Sequence, residues 1–196
     1  MTNFRLIAAV LSAAAISACG TPPPAPIQQA APTTTTTADV PGADPAAWFD
    51  AYCGPMGVVE IARREIQGKA AQGMGAVKDA VVRWASTAAL SDRKIADDLE
   101  KLGPPGSGVQ NPHERLIKAV RERAKGFEEA STRLSALAAD DVFPERYEQV
   151  MASSGTGAGR ENAELMFKQI VGTPKYAEAF RANKVCADWQ AMAGAK

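Results

Sequence analysis

From Asp44 onward the sequence predicts an all-α domain, a bundle of four or five helices. Three observations predict it. Apolar residues recur three or four apart through every long segment, no segment shows the two-residue alternation of a strand, and the Asn-Gly and Asp-Gly dipeptides that close hairpins are missing.

The first helix opens at Asp44-Pro45, a capping residue followed by a proline at the first helical position. Phe49, Tyr52, Cys53, Met56, Val59, Ala62 and Ile66 give it an apolar stripe. Gly54-Pro55 is expected to break or kink it, because Pro55 removes a backbone donor. A second stripe runs through Met74, Val77, Val81, Trp84 and Ala88. Ser91 reads as a new cap, and Ile95, Leu99 and Leu102 lead to a stop at Gly103-Pro104-Pro105-Gly106. Asn111-Pro112 restarts a helix carrying Leu116, Val120, Ala124, Phe127, Leu134 and Leu137, the clearest amphipathic segment. A short element from Phe143 to Met151 follows, then a flexible break at Gly155 to Gly159, and a helix from Glu161 to Val171. Thr173-Pro174 caps the last helix, which bears Tyr176, Phe180, Val185, Cys186 and Trp189.

Residues 1–18 read as a targeting segment. Arg5 is their only charge, and the apolar run from Leu6 to Ile16 is too short to cross a bilayer, which takes about 20 residues. Ile16-Ser17-Ala18-Cys19 resembles the lipobox of bacterial lipoproteins. The resemblance implies cleavage before Cys19 and diacylglycerol on its thiol, a firm anchor because two acyl chains hold where one does so marginally. Residues 19–43 then form a disordered Pro/Thr/Ala-rich tether with almost nothing to bury, ahead of a helical domain at 44–196. Within the tether Thr33, Thr34, Thr35, Thr36 and Thr37 lie beside prolines and form a candidate O-glycosylation run, or an unmodified spacer.

With Cys19 lipidated, Cys53 and Cys186 remain, one near each end of the domain. Outside the cytoplasm two such cysteines usually pair, tying the first helix to the last; the alternative is two separate buried thiols. Trp48, Phe49 and Tyr52 are neighbours of Cys53, and Phe180 and Trp189 are neighbours of Cys186. Pairing would gather these five rings around the bridge, either as core at one end of the bundle or as the lining of an apolar ligand pocket.

The chain has 22 basic and 22 acidic residues, and losing Arg5 leaves a net charge of −1. That balance argues against nucleic acid as a partner. No cofactor or metal is expected, since His113 is the single histidine and reads as an exposed helix-start residue. The pairs Asp97-Asp98, Glu128-Glu129 and Asp140-Asp141, together with Arg63-Arg64 and Arg121 with Arg123, read as solvated helix faces. Trp48 to Met56 (WFDAYCGPM) is similar to the thioredoxin active-site stretch, but Met56 holds the place of the resolving cysteine and no strand precedes it. Gly172-Thr173-Pro174 faintly resembles that family's proline loop, again without strands. Gly155 to Arg160 has the glycines of a phosphate loop without its Gly-Lys-Ser/Thr ending.

Lipobox, tether and two cysteines bracketing an Ala-rich helical domain together resemble the small α-helical lipoproteins of actinobacteria such as mycobacteria. This resemblance of layout implies location in the cell envelope more than an activity. Three functions are expected, in descending order. The first is a non-catalytic, membrane-anchored module that binds an apolar ligand or an envelope protein. The second is a structural or accessory subunit of an envelope complex, and the third is a thiol redox enzyme using Cys53.

Overall fold

A computed structural model describes residues 42–194, and the description below concerns those residues. The segment at 1–18, Cys19, most of the tether and the threonines at 33–37 lie outside them.

Seven α-helices follow one another among the described residues: α1 Pro45–Gln67, α2 Met74–Leu102, α3 Gln110–Ala136, α4 Phe143–Ser153, α5 Thr156–Val171, α6 Pro174–Ala182 and α7 Lys184–Gly194. No strand occurs among them, as the missing two-residue periodicity predicts. α1 packs on α2, α2 on α3 and α3 on α5, which makes a four-helix framework. The pairs Glu100–Arg121, Asp92–Arg123 and Ser86–Ser131 show that α2 and α3 run antiparallel. α6 and α7 lie against α1, and α4 links α3 to α5.

The Cys53–Cys186 disulfide joins α1 to α7, with Cα atoms 5.0 Å apart and both cysteines fully buried. It ties the first helix to the last as expected. Spanning 133 residues of sequence, it restricts the unfolded chain by about 5 kcal/mol in the loop-entropy account.

Local differences from the sequence reading have physical causes. α1 continues through Gly54-Pro55, with Pro55 inside the helix. Packing of α7 offsets the lost backbone bond: a Cβ at Gly57 would lie 3.2 Å from Met192 Cε, and one at Gly54 would lie 3.9 Å from Val185 Cγ1. α2 runs unbroken past Ser91, which is buried mid-helix between Leu90 and Asp92 with no glycine or proline nearby to stop it. It ends where expected, at Gly103 with φ +75°. The glycines at 157 and 159 belong to α5, and only Gly155, with φ +77°, sits outside it. The close approach of α3 and α5 accounts for this. A Cβ at Gly159 would stand 2.9 Å from Arg123 Cβ, and one at Gly126 would stand 2.6 Å from the Ser154 carbonyl.

The expected last helix is two, divided at Asn183. Its Oδ1 accepts from the Cys186 amide at 2.8 Å and so caps α7, while its Nδ2 donates to Asp50 Oδ1 at 2.8 Å. One side chain therefore starts α7 and fixes it on α1 beside the disulfide.

The core is in two parts. One cluster surrounds the disulfide and includes Trp48, Phe49, Ile95, Leu99, Leu116, Val120, Met166 and Ile170. The other, at the α4 end, is built on Val81, Ala85, Ala130, Leu134, Phe143 and Val150.

Candidate functional site

The five aromatic residues singled out in sequence do gather near the bridge, joined by Phe167. Tyr52 stacks on Phe167 with centroids 4.2 Å apart, Phe49 meets Phe180 at 5.3 Å, and Trp189 meets Tyr52 and Phe167 edge-on at 6.1 and 6.3 Å. Trp48, Phe49 and Tyr52 are buried, whereas Phe180 and Trp189 are half-buried. They form packed core, and the clefts described below are lined by other residues.

His113 is a correction to the sequence reading: it is buried, not exposed. Its Nδ1 accepts the Trp48 indole N–H at 3.2 Å, which requires the neutral ring with its proton on Nε2. Burial holds its pKa below the usual histidine value, with Glu114 opposing the shift. Arg123 is the second correction. Its Nε and Nη2 donate to the two carboxylate oxygens of Asp92 at 2.7 and 2.6 Å, a bidentate pair with both side chains buried. Burial pushes the Asp92 carboxyl above the ordinary carboxylate range, against the pull of Arg123. Arg123 Nη2 also lies 3.6 Å from Met56 Sδ, and the Tyr52 hydroxyl interacts with the guanidinium. Arg63 and Arg64 are half-buried as well, Arg63 held by the buried Glu60 and Arg64 donating to the Met192 carbonyl, whereas Arg121 reaches Glu100 and Asp97 at exposed positions.

The Asp92–Arg123 pair borders a cleft of about 410 Å³. That size falls within the range of roughly 300–1,000 Å³ found for small-molecule sites. α1 supplies Met56, Val59 and Arg63, and α2 supplies Trp84, Ala88 and Asp92. α3 gives Arg123 and Phe127, α4 gives Tyr147 and Met151, and α5 gives Thr156, Gly157 and Arg160. The gap has a simple origin. α5 begins at Thr156, against Gly126 in the middle of α3, so it covers only part of the framework. Beyond that level α4 takes its place with only Tyr147 and Met151 reaching the cleft. The Trp84 ring meets Phe127 edge-on at 5.4 Å, and its buried indole N–H has no acceptor.

The hydroxyl-bearing Tyr147 and Thr156 also line the cleft. Its one carboxylate is held by Arg123, and Cys53 offers no free thiol while bonded to Cys186. Among the described residues no cluster of His, Cys, Asp and Glu could hold a metal, and no helix is long and apolar enough to cross a membrane. A separate shallow groove between α1 and α2 is lined by Ala51, Gly54, Pro55, Val58 and Leu90, with Leu90 64% exposed.

The cleft was not assembled from sequence, yet a signal for it exists. Arg123 interrupts the stripe Leu116, Val120, Phe127, and Asp92 interrupts Trp84, Ala88, Ile95, Leu99. Opposite charges on two facing apolar stripes mark a buried pair. Comparison of the chain with family models, with curated proteins and with solved structures gives no match.

Proposed function

We propose that this protein is a lipid-anchored envelope lipoprotein whose helical domain is a non-catalytic binding module, taking an apolar small molecule into the cleft between α1, α2, α3, α4 and α5. The observation that carries the reading is the cleft itself. Met56, Val59, Trp84, Phe127 and Met151 present apolar surface there, beside an indole N–H without an acceptor. Methionines at two sides suit it to a ligand of variable shape. The anchor rests on the lipobox-like run ending at Cys19 and its resemblance to actinobacterial lipoproteins. The Cys53–Cys186 bridge supports an extracytoplasmic address, because disulfides persist in oxidising compartments.

The test is mass spectrometry of an organic extract of the protein purified from a bacterial host, before and after delipidation of the anchor. A co-purified molecule at about one per chain, separate from the lipid on Cys19, is the expected result. A chain that neither carries nor takes up any apolar molecule would overturn the reading.

A second reading, an accessory subunit of an envelope complex, is favoured by one observation. Val58, Ile61 and Leu90 are each more than half exposed, at 52%, 53% and 64%, on α1 and α2. It predicts that Leu90→Arg abolishes a membrane complex while leaving the cleft's binding intact.

A further inference from the structure

The cleft carries more positive than negative charge, and from this we infer the class of its ligand: an anionic amphiphile, an apolar chain ending in a carboxylate or phosphate. The inference rests on the reading of the cleft as a ligand site and adds what that site selects.

Three guanidinium groups and one carboxylate line the cleft. Asp92 is fully engaged by Arg123, so this pair contributes no net charge. Arg63 is held by Glu60, with Nη2–Oε1 at 2.5 Å and Nε–Oε2 at 3.0 Å. Glu60 serves a second cation as well, since Arg64 Nε lies 3.8 Å from the same Oε1. One carboxylate thus faces two guanidinium groups. On the opposite side Arg160 is exposed on α5. Glu164, one turn further along, is bonded to Lys168 at 2.7 Å and is also drawn to the Arg160 charge. Among the lining side chains the balance is therefore positive, three guanidinium groups against one carboxylate. The first turn of α5 adds to it. Gly155 provides no side-chain cap, and Thr156 and Gly157, whose amides open the helix, line the cleft.

Arg160 is exposed, Arg63 is half-buried like Met56, Trp84, Phe127 and Met151, and of the charged groups only the self-neutralised Asp92 and Arg123 pair is buried. Guanidinium groups of Arg63 and Arg160 beside half-buried apolar side chains match a molecule with a charged head and an apolar tail. A neutral head would leave the guanidinium groups nothing to gain over water, and a cationic head would be repelled.

The full chain is titrated with four probes sharing a twelve-carbon tail: laurate, dodecyl phosphate, dodecanol and dodecyltrimethylammonium, each below its micelle concentration. Laurate or dodecyl phosphate should bind at least about tenfold more tightly than dodecanol, the worth of one charge-assisted hydrogen bond. Their ratio assigns the head as carboxylate or phosphate. The double variant Arg63→Gln, Arg160→Gln should lose about that factor for the anions and leave dodecanol unchanged. Gly157→Phe blocks the cleft at a position where an added Cβ meets open space, and should abolish binding of every probe with helicity and melting temperature retained. Dodecanol or the cation binding as tightly as the anions overturns the inference and leaves the cleft a ligand site. No binding by any probe, or binding that survives Gly157→Phe, overturns both.

Discussion

Replacing Arg123 by methionine isolates what the buried pair does. The methionine keeps much of the length of the side chain and removes the two bonds of 2.6 and 2.7 Å to Asp92, leaving that carboxylate buried with no counter-charge. Breaking one side of such a pair costs about 3–5 kcal/mol, a large share of the roughly 5–15 kcal/mol that holds a domain together. At about 2–4 °C per kcal/mol for a domain of this size, the melting temperature should fall by about 6–20 °C. Asp92→Leu combined with Arg123→Met should recover most of the loss, because two apolar groups no longer desolvate a charge. The sign of the pH dependence follows from the lone carboxylate. In the single variant the folded-state pKa of Asp92 stands further above its unfolded value than in the wild type, so the folded form holds the proton more tightly. The deficit relative to wild type should therefore shrink as pH falls below neutrality. Thermal and urea unfolding followed by circular dichroism, at pH 7 and pH 5, measures both effects. A single variant that loses less than about 1 kcal/mol, or a deficit that does not shrink in acid, would refute the assignment.

Three further outcomes are expected. Cys53→Ser with Cys186→Ser should cost up to about 5 kcal/mol, and reductant should lower the wild-type melting temperature to the variant's value and leave the variant unmoved. Gly159→Ala should destabilise by about 1–3 kcal/mol, because its Cβ would meet the Arg123 backbone at 3.0 Å, whereas Gly157→Ala, facing open space, should stabilise by up to about 1 kcal/mol; equal signs in denaturant melts would contradict the α3–α5 packing. His113 has a lowered folded-state pKa, so its contribution to stability is present above about pH 6.5 and is lost as pH falls through the folded value. His113→Gln should flatten that part of the stability–pH curve.

The helical class and the disulfide were legible in sequence because both are carried by spacing: 3.6-residue stripes and two cysteines at opposite ends of one domain. The number of helices was less so. Asn183 starts α7 through a cap that depends on Asp50, 133 residues away, and no local pattern announces that contact. Likewise Ser91 and Pro55 resemble breaks locally but lie in helices that tertiary packing holds together. Of the charged residues, Arg121 and Arg123 differ by only two positions, yet a helix turns about 200° between them. One reaches Glu100 at the surface and the other is buried on Asp92. The apolar stripe that continues on both sides of Arg123, and not of Arg121, is what distinguishes them. The cleft was hidden for another reason: it exists because α5 starts partway along α3, a fact of helix length and placement that periodicity does not encode.

A ligand is expected to enter between Met56, Trp84, Phe127 and Met151 while the aromatic cluster at the disulfide stays closed. An NMR titration of methionine methyl and tryptophan indole resonances with laurate distinguishes the two regions. Saturable shifts should occur at the Met56 and Met151 methyls and the Trp84 indole, with Met166, Trp48 and Trp189 unmoved. Shifts confined to Trp48, Trp189 and Met166, or none at any of these six groups, would contradict entry at the cleft.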